Sequence, residues 1–298
     1  ARDFAASISA VMTAVAYKTS AEMAEQLGAF NRYKYNAASM GAVIKQHIDV
    51  LQDKLNKHKN STAIESRWVF ELQEMAITIW KKAENLGNKF GYRNAQVTVV
   101  APTGTIGLLM DCDTLGIEPE FSLLKEKKLA GGEIRKIMNR QVIPALHRLN
   151  YPAEQIQQFH QLMIDGNIDA ALSYINEKDR SVFATAADGS ISINAHLEMM
   201  AALQPFISGA ISKTVNLKQD ATVDDIQRCF YTAWKLGLKS ISVYRDGCKA
   251  SQPLNSSTKS ILTTSLPDKP LCNECGFYTI RQGSCFHCPN CGNVIGCS

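Results

Sequence analysis

Long apolar runs are missing from this 298-residue chain, and so is any strong excess of charge. No stretch nears the roughly 18 consecutive apolar residues that a bilayer-spanning helix requires, so no membrane span is expected. A formal net charge of +4 argues against a dedicated nucleic-acid binder, which needs a strongly basic face; a local basic patch stays open. No secretory signal opens the chain, and the first 271 residues hold only three cysteines, Cys112, Cys229 and Cys248. A body of that size needs no disulfide staples, so a cytoplasmic location is expected. With 45% apolar and 20% charged residues, disorder and collagen-like repeats are excluded as well.

What is present is lopsided. Six of the nine cysteines fall within residues 272–298. Cys272-Asn273-Glu274-Cys275-Gly276 and Cys288-Pro289-Asn290-Cys291-Gly292 are two Cys-x-x-Cys-Gly knuckles, with twelve residues between Cys275 and Cys288. Each offers two thiolates from one tight turn, and four thiolates make a tetrahedral zinc site. A segment this short has no core of its own, so metal would supply its folding energy. Cys285 and Cys297 are left over. Cys297 is penultimate and follows Gly296, a setting that suits thiol–disulfide exchange with Cys291 or Cys285, or simply an incidental terminal cysteine. Were Cys291 redox-active, Cys285 would have to replace it at the metal.

The body reads as helices over its first 90 residues. The chain begins at Ala1, and Phe4, Ile8, Val11, Met12 and Val15 follow helical spacing at once, as in a fragment or a processed product. Met40, Val43, Ile44, Ile48, Leu51 and Leu55 form a second apolar stripe; Trp68, Leu72, Met75, Ile79, Ala83 and Leu86 form a third. The basic stretch from Lys45 to Lys59 reads as a solvated helix face. Gln96–Ala101 is β-branched and short, which predicts a strand. Helices are expected at about 133–148, 153–164, 168–177 and 195–204, and from a Thr222 cap to Gly237. Strands are expected at 211–217 and 239–244. Strands separated by helices predict an α/β body, residues 1–249. Residues 250–270, dense in Ser, Thr and Pro, read as a flexible linker to a tail at 271–298.

Pro102-Thr103-Gly104-Thr105-Ile106 follows the first strand directly. Small residues let a backbone approach an anion, and successive N–H groups with two hydroxyls can hold a phosphate; an ordinary strand-to-helix turn is the plainer alternative. The Gly-Lys-Ser/Thr ending of a Walker loop is absent. Asp111 and Asp113, with Glu118 beyond, read as a turn-forming acidic stretch rather than a metal site. His196, Cys112 and Cys229 read as packing residues, and Cys248 as exposed.

Three segments resemble one family. The run from Gly91 to Pro119, which contains Pro102-Thr103-Gly104-Thr105-Ile106, is similar to the adenosylcobalamin-dependent (class II) ribonucleotide reductases, as are Gln204–Asn216 and Ser242–Gly247. The cysteine tail resembles that family's C-terminal extension. The resemblance implies a ten-stranded α/β barrel of which this chain is the C-terminal part, plus a small zinc-ribbon-like tail. It implies reduction of ribonucleotides to deoxyribonucleotides for DNA synthesis, with adenosylcobalamin as cofactor. It assigns substrate phosphates to Pro102, Thr103, Gly104, Thr105 and Ile106. It gives Cys297 and one neighbour the role of re-reducing an active-site disulfide, with a thioredoxin-like protein as reductant. The family's Asn-Pro-Cys finger loop has no counterpart here, and Ala184-Thr185 stand where a family cysteine usually follows Phe-Asp. A chain lacking the radical cysteine is expected to be inactive alone; a subunit that works with a separately encoded N-terminal half, a truncated gene product and a bare remnant with structural zinc and no activity are the three readings this leaves open. The competing expectation is a zinc-ribbon binding protein that contacts nucleic acid or protein.

Overall fold

In a computed structural model, residues 1–58, 64–120, 122–128, 134–186, 191–245, 248, 270, 272–275, 279–282 and 285–295 are described. The chain divides into two units, Ala1–Ser257 and Thr258–Ser298. The expected linker, apart from residue 270, lies outside the described residues, and so does Cys297.

The first unit opens with three long helices: α1 (Arg2–Leu27), α2 (Tyr33–His58) and α3 (Ile64–Phe90). α1 is rich in alanine, the best helix former. It buries Ala6, Ala10, Thr13, Ala14, Tyr17, Ala21 and Ala24, a stripe at helical spacing that packs against α3. α3 answers with Val69, Gln73, Ala76, Ile77, Trp80 and Ala83. Small residues on both sides let the two backbones approach closely, and Gln73 Nε2 donates to Ser7 Oγ across the seam at 3.2 Å. Met40, Ile44 and Leu51 of α2 close this core, as expected, although Val43 is exposed. At its centre Trp80 stacks on His47, ring centroids 5.0 Å apart and 17° between planes, with Tyr17 at 5.8 Å from the indole. His47 Nδ1 faces the Pro205 carbonyl oxygen at 2.5 Å.

Two expected stripes hold only in part: Val11 of the first and Ile79, Ala83 and Leu86 of the third lie in or against the core. Phe4, Ile8, Met12 and Val15 are exposed, and so are Trp68 and Met75. Both helices carry apolar residues on more than one side: on α1 the core takes the side with the smaller residues, and on α3 it takes the side that carries Trp80 and Ile77.

Beyond α3 the chain runs extended to a short helix, α4 (Gly104–Leu109). An antiparallel hairpin follows, β1 (Leu124–Lys128) with β2 (Ile134–Met138), Glu126 opposite Lys136. The expected helix over 133–148 is therefore divided: its first part is strand, and only α5 (Val142–Arg148) is helical. α6 (Ala153–Asp165), α7 (Ile168–Ser173) and a 3-10 turn (Glu177–Phe183) complete a second core around Leu146, Phe159 and Met163. α6 stops at Gly166, whose φ of 86° is a left-handed cap that glycine adopts without strain.

The last part is a small α/β layer. α8 (Ile193–Leu203) leads into a 3-10 turn (Gln204–Phe206), then β3 (Thr214–Leu217), α9 (Val223–Lys235) and β4 (Ser242–Arg245). β3 and β4 pair in parallel, Val215 opposite Val243, with α9 as the crossover. The Thr222 cap is realised in full: its side chain accepts from the Asp225 amide, and Asp225 accepts from the Thr222 amide. The expected strand over Gln96–Ala101 shrinks to one parallel bridge, Val100 with Ile211. The unit is mostly helical, and its described strands form no closed barrel. No helix among the described residues is long and apolar enough to cross a membrane.

The second unit carries three antiparallel strands in the order β5 (Ile280–Gln282), β6 (Cys285–His287), β7 (Val294–Ile295).

Replacing Trp80, the largest fully buried side chain, with Ala removes the centre of the three-helix core. Chemical denaturation should show a loss of about 3–5 kcal/mol; a loss under about 1 kcal/mol would mean that this core does not hold the unit together.

Candidate functional site

The turn at Pro102–Ile106 stands at the end of an extended segment gripped from two sides. On one side α1 holds it: Tyr17 Oη donates to the Ala95 carbonyl at 3.1 Å, and Thr13 Oγ1 lies 3.0 Å from Thr98 Oγ1. On the other side Ser208 Oγ accepts from the amides of Val97 (3.0 Å) and Thr98 (2.9 Å), while the Ser208 amide donates to Thr98 Oγ1 at 3.2 Å. The Gly209 amide donates to the Thr98 carbonyl at 2.8 Å, and the Ser212 amide to the Val100 carbonyl at 2.8 Å. Thus two of the segments singled out in the sequence, Gln96–Ile106 and Gln204–Asn216, lie side by side.

The turn itself is open. Pro102, Thr105 and Ile106 are exposed, and a Cβ placed on Gly104 would meet nothing within 4 Å. Thr103 has a φ of 51°, and helical Gly104 follows it. A left-handed residue followed by a right-handed one points successive amides the same way, the arrangement that cradles anions.

The chain after α4 folds back to brace this turn. Gly116, at a φ of 56°, sits so close to the Ala101 carbonyl that a side chain has no room. Glu118 then reaches the far strand: its Oε1 accepts from the Thr214 amide at 2.7 Å, and its Oε2 lies 2.7 Å from Lys213 Nζ. The Lys213 side chain is 1% exposed. Burial lowers its pKa, and Glu118 partly restores it. Sequence reasoning gave no role to this pair, whose members lie 95 residues apart; the one local signal was a lysine inside the expected strand 211–217.

Asp111 and Asp113 are engaged by a cation rather than poised for a metal: Arg140 donates to Asp111 Oδ2 at 2.6 Å and to Asp113 Oδ1 at 3.1 Å. Cys229 is buried, as expected, and burial pushes its thiol pKa up; Cys112, expected inside, is exposed at the end of α4, and Cys248 is exposed. Two open hollows of about 500 and 380 Å³ lie along α8 and α9, lined by residues such as Asn194, Arg228 and Tyr231, with none from the turn.

In the second unit the structure brings together the four knuckle cysteines. The sulfurs of Cys272, Cys275, Cys288 and Cys291 all lie within 4.8 Å of one another. Cys272 and Cys291 are 3.4 Å apart, Cys275 and Cys288 3.5 Å. Zinc–sulfur bonds of about 2.3 Å place tetrahedral sulfurs about 3.8 Å apart, so the tetrad fits the ion. The second knuckle closes through the Gly292 amide, which donates to the Cys288 carbonyl, with Gly292 at a φ of 78°. The Cys275 amide holds the Cys272 thiol down to about 6. At Cys291 the Asn293 amide pulls down, but the thiols of Cys272, Cys275 and Cys288 push it up to about 12. Zinc takes its cysteine ligands as thiolates, so binding at this tetrad would release their protons. Cys285 stands apart: it is disulfide-bonded.

His196 on α8 is buried, and its pKa falls to about 4, first from burial and then from Lys213. Its folded value lies below the ordinary 6.5, so the neutral form is favoured in the fold. That contribution is complete above about pH 6.5, is lost as pH falls towards 4, and amounts to about 3 kcal/mol at most. Melting midpoints measured between pH 7 and pH 4 should fall less steeply for His196→Gln than for the parent; parallel curves would contradict this.

Residues 1–244 match the family model described as ribonucleotide reductase, barrel domain. Among curated relatives, the vitamin B12-dependent ribonucleotide reductase of Streptomyces clavuligerus is 42% identical over 259 residues, covering 87% of this chain and 26% of the relative. That of Rhodopirellula baltica is 43% identical over 265 residues, 87% of this chain and 24% of the relative. That of Streptantibioticus cattleyicolor is 40% identical over 267 residues, 89% of this chain and 43% of the relative. The chain thus spans about a quarter to two fifths of the length of these relatives. With the family model matching most of its length, the chain belongs to the ribonucleotide reductases, as part of their barrel domain.

Proposed function

We propose that this chain is the C-terminal part of a vitamin B12-dependent ribonucleotide reductase, residues 1–249 contributing to a ten-stranded α/β barrel and residues 271–298 forming a zinc- and redox-active tail beyond a flexible linker. The observation that carries this is the pairing of Gln96–Ala101 with Ser208–Ser212, which leaves Pro102–Ile106 open at the end of a braced segment. The substrate's phosphates would sit there, held by successive amides of the turn and by the hydroxyls of Thr103 and Thr105.

In the tail, zinc would be held by Cys272, Cys275, Cys288 and Cys291, a closed thiolate set with no open position for chemistry. Its part is structural, fixing the three short strands. Cys297 and Cys285 would form the redox pair: Cys285 is disulfide-bonded, whereas Cys291 is a free thiol within the tetrad. Their two thiols would attack an active-site disulfide elsewhere in the enzyme, becoming a disulfide while that one becomes two thiols. A thioredoxin-like protein would return the electrons, in a cytoplasmic setting.

Adenosylcobalamin belongs to the proposal for the whole enzyme, where it would supply radical initiation. The ribbon-binding alternative leaves the match over residues 1–244 unexplained.

Two measurements test these assignments. Elemental analysis under reducing conditions should find one zinc per chain, lost when Cys272→Ser and Cys275→Ser are combined; metal-free parent protein would refute the site. The purified chain, given adenosylcobalamin, dithiothreitol and ribonucleoside di- or triphosphates, should form no deoxyribonucleotide. Turnover by the chain alone would mean that it carries a complete radical site.

A further inference from the structure

The tail holds six cysteines within residues 272–298, and six thiols can pair in about 15 ways. A redox pair is useful only if every cycle returns it to the same disulfide, so the other four sulfurs must be kept out of exchange. In the second unit Cys285 is disulfide-bonded, whereas Cys272, Cys275, Cys288 and Cys291 are not. The two groups are neighbours in the chain: Cys285 opens β6, and Cys288 directly follows its last residue, His287. Three residues of extended chain span about 10 Å. Sulfurs tethered so closely meet at an effective concentration of about a millimolar or more.

Burial separates them only in part. Cys272 and Cys288 are 3% and 0% exposed, but Cys275 and Cys291 face solvent. The tetrad is also arranged to oxidise within itself. Cys272 and Cys291 stand 3.4 Å apart and Cys275 and Cys288 3.5 Å, so an approach of about 1.4 Å brings either pair to disulfide length. Exchange would carry it there. The Cys275 thiolate attacks the Cys285 disulfide, a Cys275–Cys285 bond forms, and the former partner of Cys285 leaves as a thiolate. Cys288 then attacks Cys275, a Cys275–Cys288 disulfide forms, and Cys285 leaves as the second thiolate. The protons of Cys275 and Cys288 go to the two leaving sulfurs. One electron pair has passed from the tetrad to the exchange pair, and an oxidised tetrad lacks the thiolates that hold a metal. Both attacks need a thiolate lone pair, which a zinc-bound sulfur has committed to the ion.

We propose that the zinc tetrad is a guard as well as a support: the metal holds Cys272, Cys275, Cys288 and Cys291 out of thiol–disulfide exchange, so that Cys285 and its partner alone among the tail sulfurs cycle. The inference rests on the zinc and redox readings of the tail.

The test takes the full chain, zinc-loaded, reduced and freed of reductant, and exposes it to oxidised glutathione with or without the zinc chelator TPEN. Remaining thiols are blocked, disulfides are identified by mass spectrometry of unreduced peptides, and zinc is quantified alongside. With zinc, the Cys285–Cys297 disulfide should exceed all tetrad disulfides at least about tenfold. After chelation the Cys272–Cys291 and Cys275–Cys288 disulfides should rise at least about tenfold, and zinc restored before oxidation should reverse the change. Cobalt(II) in place of zinc supplies a second readout: its thiolate absorption should stay constant while the Cys285 disulfide forms.

A zinc-free parent chain would overturn the metal site and the guard together. Bound zinc, with the same disulfides formed before and after its removal, would overturn the guard while the metal site stands. Cobalt–thiolate absorption that decays as the Cys285 disulfide forms would overturn the guard too, since the tetrad would then be taking part in exchange. A zinc-loaded chain in which Cys285 joins no disulfide would overturn the redox pair, and the guard with it.

Discussion

The rest of the first unit depends on how Thr98 is held. A bare extended segment would have to satisfy its amides and carbonyls in a half-buried place, where an unpaired group costs about 1–3 kcal/mol. Ser208 and Thr13 meet that demand with short hydroxyl side chains: Ser208 Oγ accepts two amides, and Thr13 Oγ1 meets the Thr98 hydroxyl. Helix α1, the segment before the turn and the segment before β3 are thereby tied at one point. The turn at Pro102–Ile106 inherits its position from that point. Glu118 ties the returning chain to Thr214 and Lys213, so the loop is fixed at both ends.

The Glu118–Lys213 pair shows which effect dominates inside this layer. Burying an ammonium costs several kcal/mol unless an opposite charge lies close by. Lys213 is almost wholly enclosed, while Glu118 keeps partial contact with solvent. The lysine therefore depends on the glutamate more than the reverse. Its charge also reaches His196 and helps hold that imidazole neutral. Glu118 from a loop, Lys213 from the residue before β3 and His196 from α8 thus form one electrostatic unit.

Features set by local chemistry were legible in the sequence. The cysteine knuckles were, because two thiolates two residues apart need only a turn to converge, and the sulfurs do converge. The Thr222 cap was, because a hydroxyl three residues before an acid suits the first turn of a helix. What failed was the choice between faces. Periodicity marks every apolar face, and α1 has two; close approach to α3 selected the one with alanines, against the bulkier row that hydrophobicity favours. The span 133–148 failed similarly, since Ile134, Ile137 and Met138 satisfy a helical spacing but lie in a hairpin strand. The Glu118–Lys213 pair and the Thr98–Ser208 ties were invisible, being contacts between residues 95 and 110 positions apart.

The central claim is that the Pro102–Ile106 turn, positioned by these ties, receives the phosphates of a ribonucleotide. Amide chemical shifts of the purified chain, followed while a ribonucleoside diphosphate or triphosphate is added, test it most directly. Gly104 faces open space, so Gly104→Val leaves the fold intact while filling the room a phosphate would take. The account predicts that shifts concentrate at residues 103–107 in the parent and vanish in Gly104→Val. Shifts that bypass the turn, or that persist unchanged in the variant, would contradict it.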